Sequence, residues 1–402
     1  MIAAKQATGS PLEVFRAFFK LGLTCFGGPI AHLGYFRNEF VVRRKWLDEE
    51  SYADLVALAQ FLPGPASSQV GFSLGLLRAG YLGGLLAFVA FTLPSAIALV
   101  AFAYGAGALA GPIGSGLMHG LRLVAVAIVA QAVWGMARAL CPDRTRAAIA
   151  VGATLMALAS TNAVTQISAI VFGGLAGLIF CQMDAPPPEG HIPVPVSPRA
   201  GIIALVLFFC LMTVLPLLRS MHISPAIELF DAFYRAGALV FGGGHVVLPL
   251  LRDAVVTPGW VSDRIFLAGY GAVQAVPGPL FTFSAYLGTL VKGPPNGILG
   301  ATISLIAIFL PGLLVMTGVL PFWDSFRRRA SAQAAMRGVN ASVVGMLGAA
   351  LYDPVWTTSV KGGGDFGLVL SCFILLVVWR LPPLVIVSVS ALGGIALGLF
   401  KM

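Results

Sequence analysis

The sequence predicts an all-α polytopic membrane protein of two tandem homologous helical repeats, inverted relative to each other in the membrane, with helices broken at Pro-Gly-Pro. Three observations carry this. Hydrophobic residues make up 58% of the 402 residues and charged residues only 10%, with 48 Gly and 26 Pro, whereas a soluble domain carries about 25% charged residues. The block Gln60-Phe-Leu-Pro-Gly-Pro-Ala-Ser-Ser-Gln returns as Gln274-Ala-Val-Pro-Gly-Pro-Leu-Phe-Thr-Phe-Ser. The block Phe15-Arg-Ala-Phe-Phe-Lys-Leu-Gly-Leu-Thr-Cys-Phe-Gly-Gly returns as Phe230-Asp-Ala-Phe-Tyr-Arg-Ala-Gly-Ala-Leu-Val-Phe-Gly-Gly.

In chain order, apolar segments cover 12–34, 51–78 with a break at Pro63, 81–110, 117–140, and 146–182 as a tight helix pair. Each is long enough, alone or paired, to cross about 30 Å of hydrocarbon. The first residues lack the signal-peptide layout, so the run from Val14 is expected to be retained as a membrane helix. Residues 183–199 hold five prolines before Pro198 and read as an extramembrane linker. An extra segment at 200–218 follows. The earlier order then returns as 225–251, 262–291 with a break at Pro277, 297–321, 334–352, and a second helix pair at 365–400. The expected domains are therefore 1–182, the linker 183–199, and 200–402 as the extra helix plus the second repeat.

Charge and cysteine usage exclude other classes. The net charge of +9 lies in short loops between apolar runs rather than in one patch, so it reports topology and not nucleic-acid binding. Basic-rich loops pair with poorer counterparts: Arg37, Arg43, Arg44 and Lys45 against Arg252 and Arg264, and Arg327, Arg328 and Arg329 against none at 105–116. This is the pattern expected of inverted copies. The five cysteines form no Cys-x-x-Cys pair, so neither a disulfide framework nor a zinc site is expected. No His-Glu-x-x-His and no paired-carboxylate motif marks an intramembrane enzyme. No cofactor is implied.

Pro-Gly-Pro removes two backbone donors and fixes two φ angles, so no continuous helix passes through it. Within a membrane, broken backbone survives where protein or a water-filled cavity receives its polar groups, which makes it a candidate solute site. If new half-helices start at Ala66 and Leu280, their free amides and dipole ends point into the breaks formed by Pro63, Gly64 and Pro65 and by Pro277, Gly278 and Pro279. Ser67, Ser68, Gln69, Thr282 and Ser284 add neutral donors that suit a tetrahedral oxyanion. The competing reading is a kink satisfied by neighbouring helices. Gln60 and Gln274 are either donors to the same site or helix caps.

Lys20 and Arg235 occupy matching positions six residues before each Phe-Gly-Gly. They bind a dianion, or they snorkel to an interface. Phe26, Gly27 and Gly28, with Gly242 and Gly243, allow close approach either to ligand or to a packed helix. His32 and His245 are one position out of register and are read as proton carriers or as structural histidines. Arg37 and Arg252 match, as an anion entrance or as helix anchors. Arg122 and Arg337 match at the start of a later helix, and Glu13 and Glu228 match as first-turn residues.

The Phe-Gly-Gly blocks, the Gln-x-x-Pro-Gly-Pro blocks and their order in two tandem domains closely resemble the chromate ion transporter family in its long, two-domain form. The resemblance covers nearly the whole chain outside the linker. It implies a multi-pass inner-membrane protein that exports chromate from the cytoplasm, energised by an ion gradient, with sulfate as a competing analogue. The motifs are less specific for the substrate than for the family, so a sulfate or other oxyanion transporter and a passive anion channel stay open. Composition implies the lipid bilayer as a partner; a proton as coupling ion and a homodimer are open.

Overall fold

The structure is a computed structural model and describes residues 9–26, 28–106, 112–159, 163–182, 195–241, 246–323 and 329–400. Most of these residues are helical, with no strand among them. Among the described residues, five helical stretches are long and apolar enough to cross a membrane: Ala66–Gly105, Ile113–Arg138, Pro198–Ser220, Gly297–Phe322 and Ala330–Ser359.

Helix α1, Pro11–Thr24, starts where Ser10 caps the Glu13 amide (3.1 Å) and Pro11 takes the first helical position, which needs no donor. Val14, Ala17, Phe18, Leu21 and Gly22 form its buried stripe at helical spacing. The segment 12–34 is not one helix. Cys25 is extended (φ −84°, ψ 99°), and α2, Gly28–Phe36, starts afresh on a glycine at φ +77°. The second copy breaks at the same place, between α9, Pro225–Ala238, and α10, Val247–Val255. The physical reason is the Gly-Gly pair, which lowers the cost of leaving the helix. Glu13 and Glu228 do stand in first turns. Glu13 also accepts from Trp46 Nε1 (3.1 Å) and Arg78 (3.2 Å), tying α1 to the rest of its repeat.

After a π-helical turn, Arg37–Arg43, come α3, Glu49–Phe61, and α4, Ala66–Ala106. Helix α4 is two helices joined at Ala79 (φ −143°) and Gly80 (φ +67°). The chain reverses there: a Cβ on Gly75 would lie 2.4 Å from the Gly83 carbonyl. The second copy repeats this with α11, Asp263–Val273, α12, Phe283–Leu290, and α13, Gly297–Val319, where Gly288 meets the Gly300 carbonyl at 2.3 Å by the same measure. The extra segment is α8, Pro198–Ser220, which packs on α9 and α13.

The remaining helices are α5, Pro112–Leu140; α6, Arg144–Ala159; α7, Ala163–Phe180; α14, Ala330–Ala350; α15, Gly363–Val377; and α16, Pro383–Phe400. They interlock. The pair α6 and α7 of the first copy packs on α14 of the second, and α15 and α16 of the second pack on α5 of the first. Small residues allow both contacts: a Cβ on Gly338 would lie 1.9 Å from the Gly173 carbonyl, and one on Gly120 would lie 2.1 Å from the Ser390 carbonyl. Gly338→Leu is therefore expected to separate α7 from α14 and to cost about 3 kcal/mol or more by overpacking. A lowered melting temperature of the detergent-purified variant checks this.

Candidate functional site

Both Pro-Gly-Pro breaks lie between helices, with α4 restarting at Ala66 and a 3-10 turn, Leu280–Thr282, leading into α12. Gly64 (φ +121°) and Gly278 (φ +103°) take conformations that other residues adopt only with strain. Their amides cross between the copies. Gly64 N–H donates to the Val240 carbonyl (2.7 Å), and Gly278 N–H donates to the Cys25 carbonyl (2.9 Å). Val240 and Cys25 are matching residues, each directly before a Phe-Gly-Gly. Each Pro-Gly-Pro break therefore holds the Phe-Gly-Gly break of the other copy. The two glycines also abut proline-bearing helices of the opposite copy: a Cβ on Gly64 would lie 2.8 Å from Gly312 Cα beside Pro311, and one on Gly278 would lie 2.8 Å from Ser95 Oγ beside Pro94.

Polar side chains surround this crossing. Gln69 is fully buried and donates from Nε2 to the carbonyls of Pro63 (2.9 Å) and Gly312 (3.0 Å), bridging the copies. Thr282 donates its hydroxyl to the Pro279 carbonyl at 2.7 Å. Ser67 Oγ stands 3.5 Å from Nδ1 of the buried His32, whose ring lies edge-on to Phe91 at 5.3 Å. Four buried polar atoms next to the breaks have no partner among the described residues: Ser68 Oγ, Gln69 Oε1, Gln274 Nε2 and Ser284 Oγ. Three of these four can donate a hydrogen bond. Unpaired groups at such depth cost several kcal/mol each, so they call for a ligand or ordered water.

The other expected site residues divide. Pro65 and Pro279 are buried, Pro63 and Pro277 half-buried. Gln274 is buried but Gln60 is exposed, so the two amides are not equivalent. Phe26 is half-buried, while Gly27, Gly242, Gly243 and His245 lie outside the described residues. Arg37 pairs with Glu49 (2.5 Å) and Arg252 with Asp263 (3.0 Å). Both carboxylates open the following helix, so each arginine fastens one helix end to the next.

Lys20 and Arg235 each stand five residues before a bridged carbonyl in the sequence, yet their surroundings differ. Lys20 is exposed on α1 beside the exposed Phe19 and Leu23. Arg235 lines a cavity of about 460 Å³ with Arg219, His222 and Asp253. The difference follows from α8, which covers α9 and closes that cavity. Asp253 sits outside the membrane-spanning helices, and burial pushes its carboxyl above the usual range.

Sequence reading passed over two buried carboxylates. Asp231, with no exposed surface, pairs with Arg219 (3.2 Å), whose guanidinium lies 5.9 Å from the Trp260 ring centre. Asp365, equally buried, meets His119 at 2.8 Å. The available signal was a lone ionisable residue in an apolar run. Arg122 stands well inside α5 rather than at its start, because the helix begins earlier than expected.

Comparison with known proteins agrees with this architecture. A family model described as "Chromate transporter" matches residues 12–178 and again 227–397. A protein of Synechococcus elongatus named "Probable chromate transport protein" is 28% identical over 348 residues, 84% of this chain and 83% of that one. A "Chromate transport protein" of Pseudomonas aeruginosa is 26% identical over 374 residues, 89% of this chain and 85% of that one. An uncharacterised transporter of Methanocaldococcus jannaschii is 26% identical over 392 residues, 96% and 90% respectively. No solved structure matches the chain. With the family matched twice, over most of the chain and across both sets of breaks, this protein belongs to the chromate transporter family.

Proposed function

We propose that the chain is a secondary active transporter of a divalent oxyanion, chromate first, which it moves out of the cytoplasm across the inner membrane, so conferring chromate resistance. The observation that carries this is the reciprocal pair of hydrogen bonds from Gly64 to Val240 and from Gly278 to Cys25, with unpartnered buried donors beside it. A tetrahedral dianion offers four acceptor oxygens, and Ser68, Gln274 and Ser284 offer donors. Inverted copies that rock about this crossing would expose it to each side in turn. Lys20 and Arg235, one per copy and each five residues before a bridged carbonyl, offset the charge of the anion as it arrives or leaves.

The deciding experiment is uptake of labelled chromate into inverted membrane vesicles under an imposed proton gradient, with and without excess sulfate. Saturable, gradient-dependent uptake that sulfate inhibits supports the reading. Saturable movement of sulfate without chromate keeps the architecture and removes chromate; non-saturating flux that follows only the anion gradient replaces the carrier by a channel. In the same assay Lys20→Ala and Arg235→Ala are each expected to lower uptake about tenfold or more, the loss of one charge-assisted contact. Full uptake in both variants would remove the charge pair from the mechanism.

A further inference from the structure

We propose that His119 and Asp365 form a proton-binding site coupled to the second Pro-Gly-Pro break; this rests on the transport reading above and names its coupling group. Asp365 lies in the first turn of α15 and has no exposed surface. Its Oδ2 accepts from the Lys361 amide at 2.9 Å, which caps the helix. Its Oδ1 faces His119 Nε2 of α5 at 2.8 Å. On the other side of the ring, Arg122 Nη2 stands 3.4 Å from His119 Nδ1.

Arginine has no acceptor, so Nδ1 must be the acceptor and Nε2 must carry the hydrogen given to Asp365. The result is a one-way chain of donors, Arg122 to His119 to Asp365, with a neutral imidazole between a cation and an anion. One proton taken up from water has two places to go. On Nδ1 it makes an imidazolium, which cannot accept from Arg122 and repels it at this distance. On Asp365 it neutralises the carboxyl that holds the ring. The first case removes the acceptor that faces Arg122 and the second weakens the hold of Asp365 on the ring, and return of the proton to water restores both. The His119 side chain, in the second turn of α5, is 20% exposed.

The neighbours of this site make it a coupling element. Arg264 of α11 lies within electrostatic reach of Arg122. The Leu121 carbonyl, next to Arg122, packs so closely on Gly271 that a Cβ there would lie 2.0 Å away. Gly271 is three residues before Gln274, whose unpaired Nε2 borders the break. A shift of α5 on proton uptake is thus transmitted by rigid backbone contact to α11 and its break.

The remaining elements packed on α5 add little charge. Helix α16 has none in its sequence and presents the Ser390 hydroxyl to the Gly120 carbonyl at 2.8 Å. Arg337 of α14 donates to the Cys181 carbonyl. Lys361 gives its ammonium to the Thr357 carbonyl, and Asp353 accepts from Thr357. The position matching His119 in the other copy is Ala334, although Arg337 matches Arg122. The dyad is not a packing device that the repeat requires twice.

The test has two arms on the full chain. In the first, infrared pH-difference spectra are taken of the reconstituted protein with no anion present. A protonated-carboxyl band should grow on acidification, vanish in Asp365→Asn, and move its midpoint up by about one pH unit or more in His119→Leu, where the carboxylate loses its donor. A band unchanged in both variants overturns the proposal, whatever the transport assay gives. In the second, a pH dye and labelled chromate are followed together in vesicles. The proton count per chromate should fall toward zero in Asp365→Asn, and an unchanged ratio overturns the coupling. His119→Leu keeps the Asp365 cap on α15, so it decides the matter if Asp365→Asn fails to fold: an unmoved band midpoint would then refute the site.

Discussion

Gly64→Ala is expected to abolish accumulation of folded transporter, and Gly278→Ala to impair it less. At φ +121° an alanine pays for a conformation worth about 1–3 kcal/mol of strain, and its Cβ would stand 2.8 Å from the Gly312 backbone. Overpacking against backbone that cannot rotate adds about 1–3 kcal/mol. Together these cost about 2–6 kcal/mol, a large share of the stability of an ordinary domain, roughly 5–15 kcal/mol. Gly278, at φ +103°, meets Ser95 Oγ first, a side chain that can turn aside. Fluorescence-detected size-exclusion of the two variants, followed by melting curves, reads the difference. Equal, wild-type behaviour of both would mean that the crossing between the copies is looser than the structure has it.

Gln69→Leu is expected to remove transport and lower stability by about 2–6 kcal/mol. Leucine leaves the carbonyls of Pro63 and Gly312 buried without their donor, and each orphaned group costs about 1–3 kcal/mol. Gln69→Glu separates fold from function. As a carboxylate, residue 69 faces two carbonyl oxygens and repels an oxyanion; as a neutral acid it regains one donor. Its uptake of labelled oxyanion should therefore be near zero at neutral pH and recover in part on acidification. Uptake that is independent of pH and equal to that of the native protein would place the anion path elsewhere.

The repeat and its proline breaks were legible because they are local: Pro-Gly-Pro interrupts any helix, and matching blocks such as Phe15–Phe230 and Gln60–Gln274 announce themselves. The Phe-Gly-Gly breaks were less so. Glycine pairs in an apolar run serve helix packing and helix breaking equally, and only the extended Cys25 shows which one holds here. The bridges from Gly64 to Val240 and from Gly278 to Cys25 run between backbone atoms, which carry no residue signature. The inequality of Lys20 and Arg235 was hidden because it depends on α8, a helix outside the repeat. His119 and Asp365 stand far apart in the chain, one in each copy, and the matching positions are Ala334 and Ala150, so neither periodicity nor symmetry pointed to them.

The exchange of helix pairs between the copies bears on biogenesis. Helices α6 and α7 leave the ribosome well before α14, against which Gly173 and Gly177 are shaped, has been made. At about 5–20 residues per second the delay is on the order of ten seconds. During that time the glycine-lined face of α7 has only lipid for company. Assembly must therefore wait for the second half of the chain, and a truncated first half would present an unfilled groove to the quality-control machinery of the membrane.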